Sequence, residues 1–238
     1  MRPIRTLVGA GLLAAASLAS ANVDYTFYAS GVTENYAQQG TAVLSFADNG
    51  SSLSITLTNT VSPTAAILSE ISGLSFMFSF APTSMTLMSV TAGAVIDCTN
   101  SNSPCGPGAG SSPYGWGSTL TGGTVTLGAG FDGTGFAYQP YGIVNTNYLS
   151  VAGGGQLDTP SNNPLLIGPV TFNFALTGLR FAPEVTSVIF AFGDPVFAAA
   201  LAVPEPQSLA LFAVALLGAG WIGRRPHRRL TASNRRVD

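Results

Sequence analysis

The chain predicts an all-β body, an antiparallel β-sandwich or jelly roll, with an N-terminal signal peptide before it and a single C-terminal transmembrane helix after it. Three observations carry this: short segments in which apolar and polar residues alternate, breaks rich in Gly, Pro, Asn and Ser between them, and charge-free apolar runs at the two ends of the 238 residues. Alternation with period two puts one face of a segment on a core and the other in water, which is the signature of a half-buried strand. Helix-period patterning is nearly absent before the C-terminal run.

The elements follow in chain order. MRPIRTLVGAGLLAAASLASANVDY carries Arg2 and Arg5, an apolar stretch over 7–18, then Ala19-Ser20-Ala21. Small residues at Ala19 and Ala21 fit a signal-peptidase site, so residues 1–21 read as a signal peptide cut after Ala21. The body, 22–202, opens with VDYTFYA (23–29). TAVLSF (41–46) and LSITLTN (53–59) are joined through Asn49-Gly50, and Asn-Gly favours a hairpin turn, so these two should pair. Further strands are expected at LSFMFSF (74–80), SMTLMSV (84–90), TVTL (124–127), VTFNFAL (170–176) and TSVIFAF (186–192). A body of this size can bury roughly 70% of its unfolded surface, so it needs no cofactor to fold.

The least sheet-like stretch, 91–123, reads as a long connection, either disordered or a functional surface loop. It contains both cysteines of the chain, Cys98 and Cys105. In an exported protein these are expected to pair, and closing so small a loop stabilises by about 2.5 kcal/mol on the entropy model. A zinc site is the competing reading, but two sulfurs in a body without histidine leave half a coordination shell empty.

The tail reads VPEPQSLALFAVALLGAGWIGRRPHRR over 203–229. Its run 208–223 is uncharged, and as a helix it spans about 24 Å, a little short of the ~30 Å hydrocarbon core. Arg224 and Arg225 can reach back to the headgroups along their methylene stems. With Arg228 and Arg229 they form the positive flank that marks the cytoplasmic side, leaving 230–238 as a cytoplasmic tail and the body outside. The alternative is a buried C-terminal core helix with a solvated basic end, but this run is apolar around its whole circumference. Pro204 and Pro206 disfavour helix before themselves, so the chain around Glu205 should be extended and open to a protease.

This order of VPEP, an apolar run and an arginine cluster resembles the PEP-CTERM sorting signal of Gram-negative bacteria, over residues 203–229 only. The resemblance implies recognition of Pro204, Glu205 and Pro206 by a membrane-embedded exosortase, a cut near that motif, and release or transfer of the body to the cell surface or an extracellular polysaccharide matrix. It implies no enzymatic activity.

Composition narrows the body's chemistry. Nine acids stand against Arg180 alone, with no lysine or histidine, for a net charge of −8 over 22–202. Phosphate binding needs cations, so nucleic acid is excluded as a partner. Without histidine no Ser-His-Asp or Cys-His arrangement can be built. GAGFDG (128–133) matches Gly-x-Gly-x-x-Gly, but no amphipathic helix follows it. A glycosidase-like carboxylate pair is the only catalytic class left, and singly scattered acids select no pair.

The body is therefore expected to be a structural protein of the cell surface or exopolysaccharide and biofilm matrix, without catalysis. The alternative is a carbohydrate-binding module, with calcium as an optional bridge. Tyr114, Trp116, Tyr138, Tyr141 and Tyr148 are expected in Gly-rich loops rather than alternating strands and are its candidate sugar contacts; their other reading is packing over a sandwich end. Asp97, Asp132 and Asp158 are candidate calcium ligands, though no Asp-x-Asp-x-Asp spacing supports them and no metal site is assigned.

Overall fold

The structure is a computed structural model that describes residues 22–33, 36–47, 49–64, 66–99, 105–129, 140–148, 163–193 and 196–203. The signal peptide with Ala19 and Ala21, the motif Pro204-Glu205-Pro206, the run 208–223, Arg224, Arg225, Arg228 and Arg229, Tyr138, Asp132 and Asp158 lie outside the described residues. Among the described residues no helix is long and apolar enough to cross a membrane.

Within them the fold is all-β. Its strands are β1 (Val23–Thr33), β2 (Tyr36–Phe46), β3 (Ser52–Asn59), β4 (Ile71–Phe78), β5 (Ser84–Thr91), β6 (Ala94–Asp97), β7 (Gly106–Pro107), β8 (Trp116–Thr121), β9 (Thr124–Ala129), β10 (Ile143–Val144), β11 (Leu165–Ile167), β12 (Val170–Thr177), β13 (Val185–Phe192), β14 (Val196–Ala199) and β15 (Leu201–Val203). The first sheet has the order β15-β1-β2-β3-β12-β5, antiparallel throughout. The second runs β14-β13-β4-β10-β11-β6-β7, with β9 also on β4 and β8 on β9. One parallel pair interrupts it, β10 with β11.

Alternation does the folding work in the first sheet. Leu44 of β2, Ile55 of β3, Phe172 of β12 and Val90 of β5 stand opposite one another and are all buried. In β5 a bulge opposite Asn173 and Phe174 shifts the register, which turns Val90 inward and leaves Met88 67% exposed. The second sheet supplies Leu74, Phe76, Phe78, Leu127, Val188 and Phe190 to the same core. Rings meet edge to face across it, Phe46 of β2 lying 6.0 Å from Phe78 of β4. Two sheets sharing one apolar interior make a sandwich.

The expected pairing of β2 with β3 is present, Phe46 opposite Leu53, and Gly50 turns the corner at φ 66°. The reading of 91–123 as a strandless connection is corrected. That stretch holds β6, β7 and β8: β6 is only four residues long (AVID), β7 is a Gly-Pro pair and β8 is rich in Gly, Ser and Thr, so none shows a clear apolar alternation, and neighbouring strands supply the pairing. Cys98 and Cys105 form a disulfide with Cα atoms 4.3 Å apart. It belongs to a small satellite core with Leu68, Ile96, Val144 and Leu165.

Candidate functional site

The predicted sugar contacts divide. Trp116 opens β8 and is only 2% exposed, its indole 4.7 Å from the Phe172 ring and its N–H donating to the Tyr141 carbonyl at 2.9 Å. As a ring locked inside the sandwich it offers no face to a ligand, and its placement in a loop is corrected. Tyr114 and Tyr141 are half-buried, with centroids 6.0 Å apart. Both have positive φ, and the Tyr141 hydroxyl donates to the Ala109 carbonyl at 3.1 Å. Together they brace the segment ahead of β8. Tyr148 packs on the satellite core. Asp97 accepts from the Thr99 amide at 2.9 Å. Among the described residues no group of three His, Cys, Asp or Glu could hold a metal.

The described acids stand on separate elements: Asp24 in β1, Glu70 ahead of β4, Asp97 at the end of β6 and Glu184 ahead of β13. Glu70 is fully buried, and that burial pushes its carboxyl well above the ordinary 4.5. The carboxyl lies against Gly142, where any side chain would overlap it. Among the described residues its Oε2 has no hydrogen-bond partner. Nearby polar groups knit 61–70 to the sandwich: Asn59 Nδ2 donates to the carbonyls of Ser69 (2.6 Å) and Ile143 (3.0 Å), and Gln38 Nε2 to that of Leu68 (3.0 Å). In sequence Glu70 is one of nine scattered acids of 22–202. Its position inside the apolar run AAILSEISGLSFMF is the signal that sets it apart.

A surface no single segment announces lies on the outside of the first sheet. Asp24, Ser45, Ser54, Asn173 and Ser89 face one another across β1, β2, β3, β12 and β5. Beside them runs Thr26, Val43, Thr56, Thr171 and Thr91. Lateral hydrogen bonds steady the rows: Ser45 to the Asp24 carboxylate, Thr56 with Thr171 at 3.0 Å, Asn173 to Ser89 at 3.1 Å. Strands spaced about 4.8 Å apart thus present mainly short hydroxyl and amide side chains in a lattice, with the Asp24 carboxylate at one edge and Val43 as an apolar interruption, a chemistry that can meet a hydroxyl-rich polymer.

The other functional feature is where the chain leaves the fold. β14 pairs with β13 in the second sheet, and after Ala200 β15 pairs with β1 in the first, Leu201 opposite Tyr28 and Val203 opposite Thr26. One segment thereby closes the same side of both sheets, and the next residue is Pro204. In sequence, the motif Pro204-Glu205-Pro206 follows β15 directly.

No curated protein and no solved structure matches this chain. Residues 202–229, beginning in the last turnless strand of the sandwich, match the family model of the PEP-CTERM protein-sorting motif, so the chain carries a signal that implies export and processing by an exosortase in a Gram-negative cell envelope.

Proposed function

We propose that the body is a structural protein of the cell surface or exopolysaccharide matrix, exported, freed of its tail by an exosortase, and without catalysis of its own. The observation that carries the reading is the direct fusion of the sorting motif to the strand that completes a disulfide-braced sandwich. Such a body is delivered folded and needs no cofactor to remain so. Its charge of −8 over 22–202 keeps it dispersed and away from nucleic acid. Mass spectrometry of native material tests this. The expected N-terminus is Asn22, the segment beyond the Pro-Glu-Pro region is missing, and deleting the exosortase retains that segment. An intact cytoplasmic chain rejects the proposal, and hydrolysis of a polysaccharide by the purified body, abolished by one carboxylate change, replaces it with an enzyme.

A second reading, carbohydrate binding, is favoured by the polar rows on the first sheet rather than by the loop aromatics. A glycan array with and without calcium is the test. Selective binding weakened tenfold or more in Ser54→Leu with Asn173→Leu supports it, since each lost hydrogen bond with a desolvated partner is worth about 1–3 kcal/mol. Unchanged binding in that variant rejects the rows as the contact.

A further inference from the structure

Both exits from the body lie at one end of the sandwich. β1 starts at Val23 opposite Phe46, and β15 ends at Val203 opposite Thr26. The same end carries the β2–β3 turn, the connection 79–83 and the connection 178–184, because Thr177 pairs with Ser84 and Val185 with Phe78. These loops are in contact: a Cβ on Gly50 would lie 2.7 Å from the Phe181 carbonyl oxygen.

An aromatic pair projects from this end. Phe80 is 39% exposed and Phe181 59%, with ring centroids 4.9 Å apart at 66°. Beside them is exposed Arg180, the only cation of 22–202. Asp24 and Glu184, also exposed there, remove any net positive field, so apolar contact has to drive whatever this end binds.

We infer that this end is a membrane-facing surface, on which Phe80 and Phe181 enter the bilayer interface and Arg180 meets lipid phosphates. The inference rests on the reading of 208–223 as a membrane segment. Chain length then chooses the occupant. The five steps from Val203 to residue 208 reach at most about 17 Å, so the end bearing Val203 is held at the lipid surface. Aromatic rings beside a cation suit the headgroup boundary. Tethering raises the local lipid concentration enough for two rings to suffice. The consequence is a fixed stance: the outer face of the first sheet stands upright from the membrane, and the β1–β2 end points away.

Site-specific quenching tests the inference on the full chain in vesicles of phosphatidylethanolamine with a minor share of phosphatidylglycerol, using a lipid-borne quencher. The native cysteines are paired, so an environment-sensitive dye goes to Ala81→Cys at this end, Val32→Cys (73% exposed) at the far end, or Leu216→Cys in the tail. The Ala81→Cys label is expected to be quenched severalfold more than the Val32→Cys label. Phe80→Ser with Phe181→Ser should bring it to the Val32→Cys level while the melting curve stays in place, because both rings are already exposed. Equal quenching at the two ends with a quenched tail label overturns the surface and leaves the tail reading standing. A quenched Ala81→Cys label with a silent tail label does the reverse, and both labels silent overturns both. Cross-linking of two Ala81→Cys copies without quenching overturns the lipid assignment in favour of a second chain.

Discussion

Glu70 shows how much one side chain decides. A carboxyl with a folded pKa raised by burial binds its proton more tightly in the native state than in the unfolded chain. Its contribution is fully present below about pH 4.5 and is lost as pH climbs through the raised value, where ionisation requires either burying a charge or opening the fold. Glu70→Gln, which mimics the neutral acid, is therefore expected to match the parent near pH 4 and to become progressively more stable than it as pH rises through the raised value. Urea unfolding across pH measures this, and a constant difference at every pH contradicts a buried neutral carboxyl. Trp116 makes the companion case. Truncation to alanine should cost about 3–5 kcal/mol, the price range of a large buried ring, and lower all activities of the body together. A Trp116→Ala protein that melts normally but loses one ligand would return the ring to the surface.

At the scale of elements, legibility tracks how much of a strand's stability is its own. β1, β2, β3, β4, β5, β9, β12 and β13 were read from alternation because each carries a full apolar face of three or more residues. β10, two residues long, and β7, a Gly-Pro pair, have no face to read and exist only because β4, β11 and β6 offer partners. The polar rows were invisible for a related reason: Ser54 and Asn173 are 119 positions apart and become neighbours only through register. The sorting motif was legible because its parts are contiguous, whereas the inward turn of Trp116 was not, because a Gly-rich flank says nothing about which way a ring turns. Cys98 and Cys105 show what a local constraint contributes. Reduction should lower stability by up to about 2.5 kcal/mol and loosen the satellite core around Ile96 and Leu165 ahead of the main one. Hydrogen exchange before and after reductant should show amides of β6 and β11 losing protection first, and uniform loss over both sheets contradicts the satellite arrangement.

At the scale of the whole molecule, the C-terminal segment of the body acts as a seam. β14 covers the edge of β13, and β15 covers β1 over Thr26 to Tyr28, so eight residues finish two sheets at once. The two halves differ in cost. Leu201, Ala202 and Val203 are all exposed and hold on through backbone bonds, each worth about 0.5–1.5 kcal/mol, whereas Ala198 and Ala200 pack against the main core. A chain ending at Val203 is expected to melt like the full-length body, one ending at Ala200 to lose about 1–3 kcal/mol, and one ending at Gly193 to expose two raw sheet edges and aggregate. Light scattering and thermal melts of the three truncations give the order. The same order limits processing: a cut beyond Val203 leaves the seam closed, while one before Ala198 would deliver a body with open edges. If the chain ending at Gly193 stays monomeric and melts with the other two, the seam contributes nothing, and the position of the cut is free of the fold.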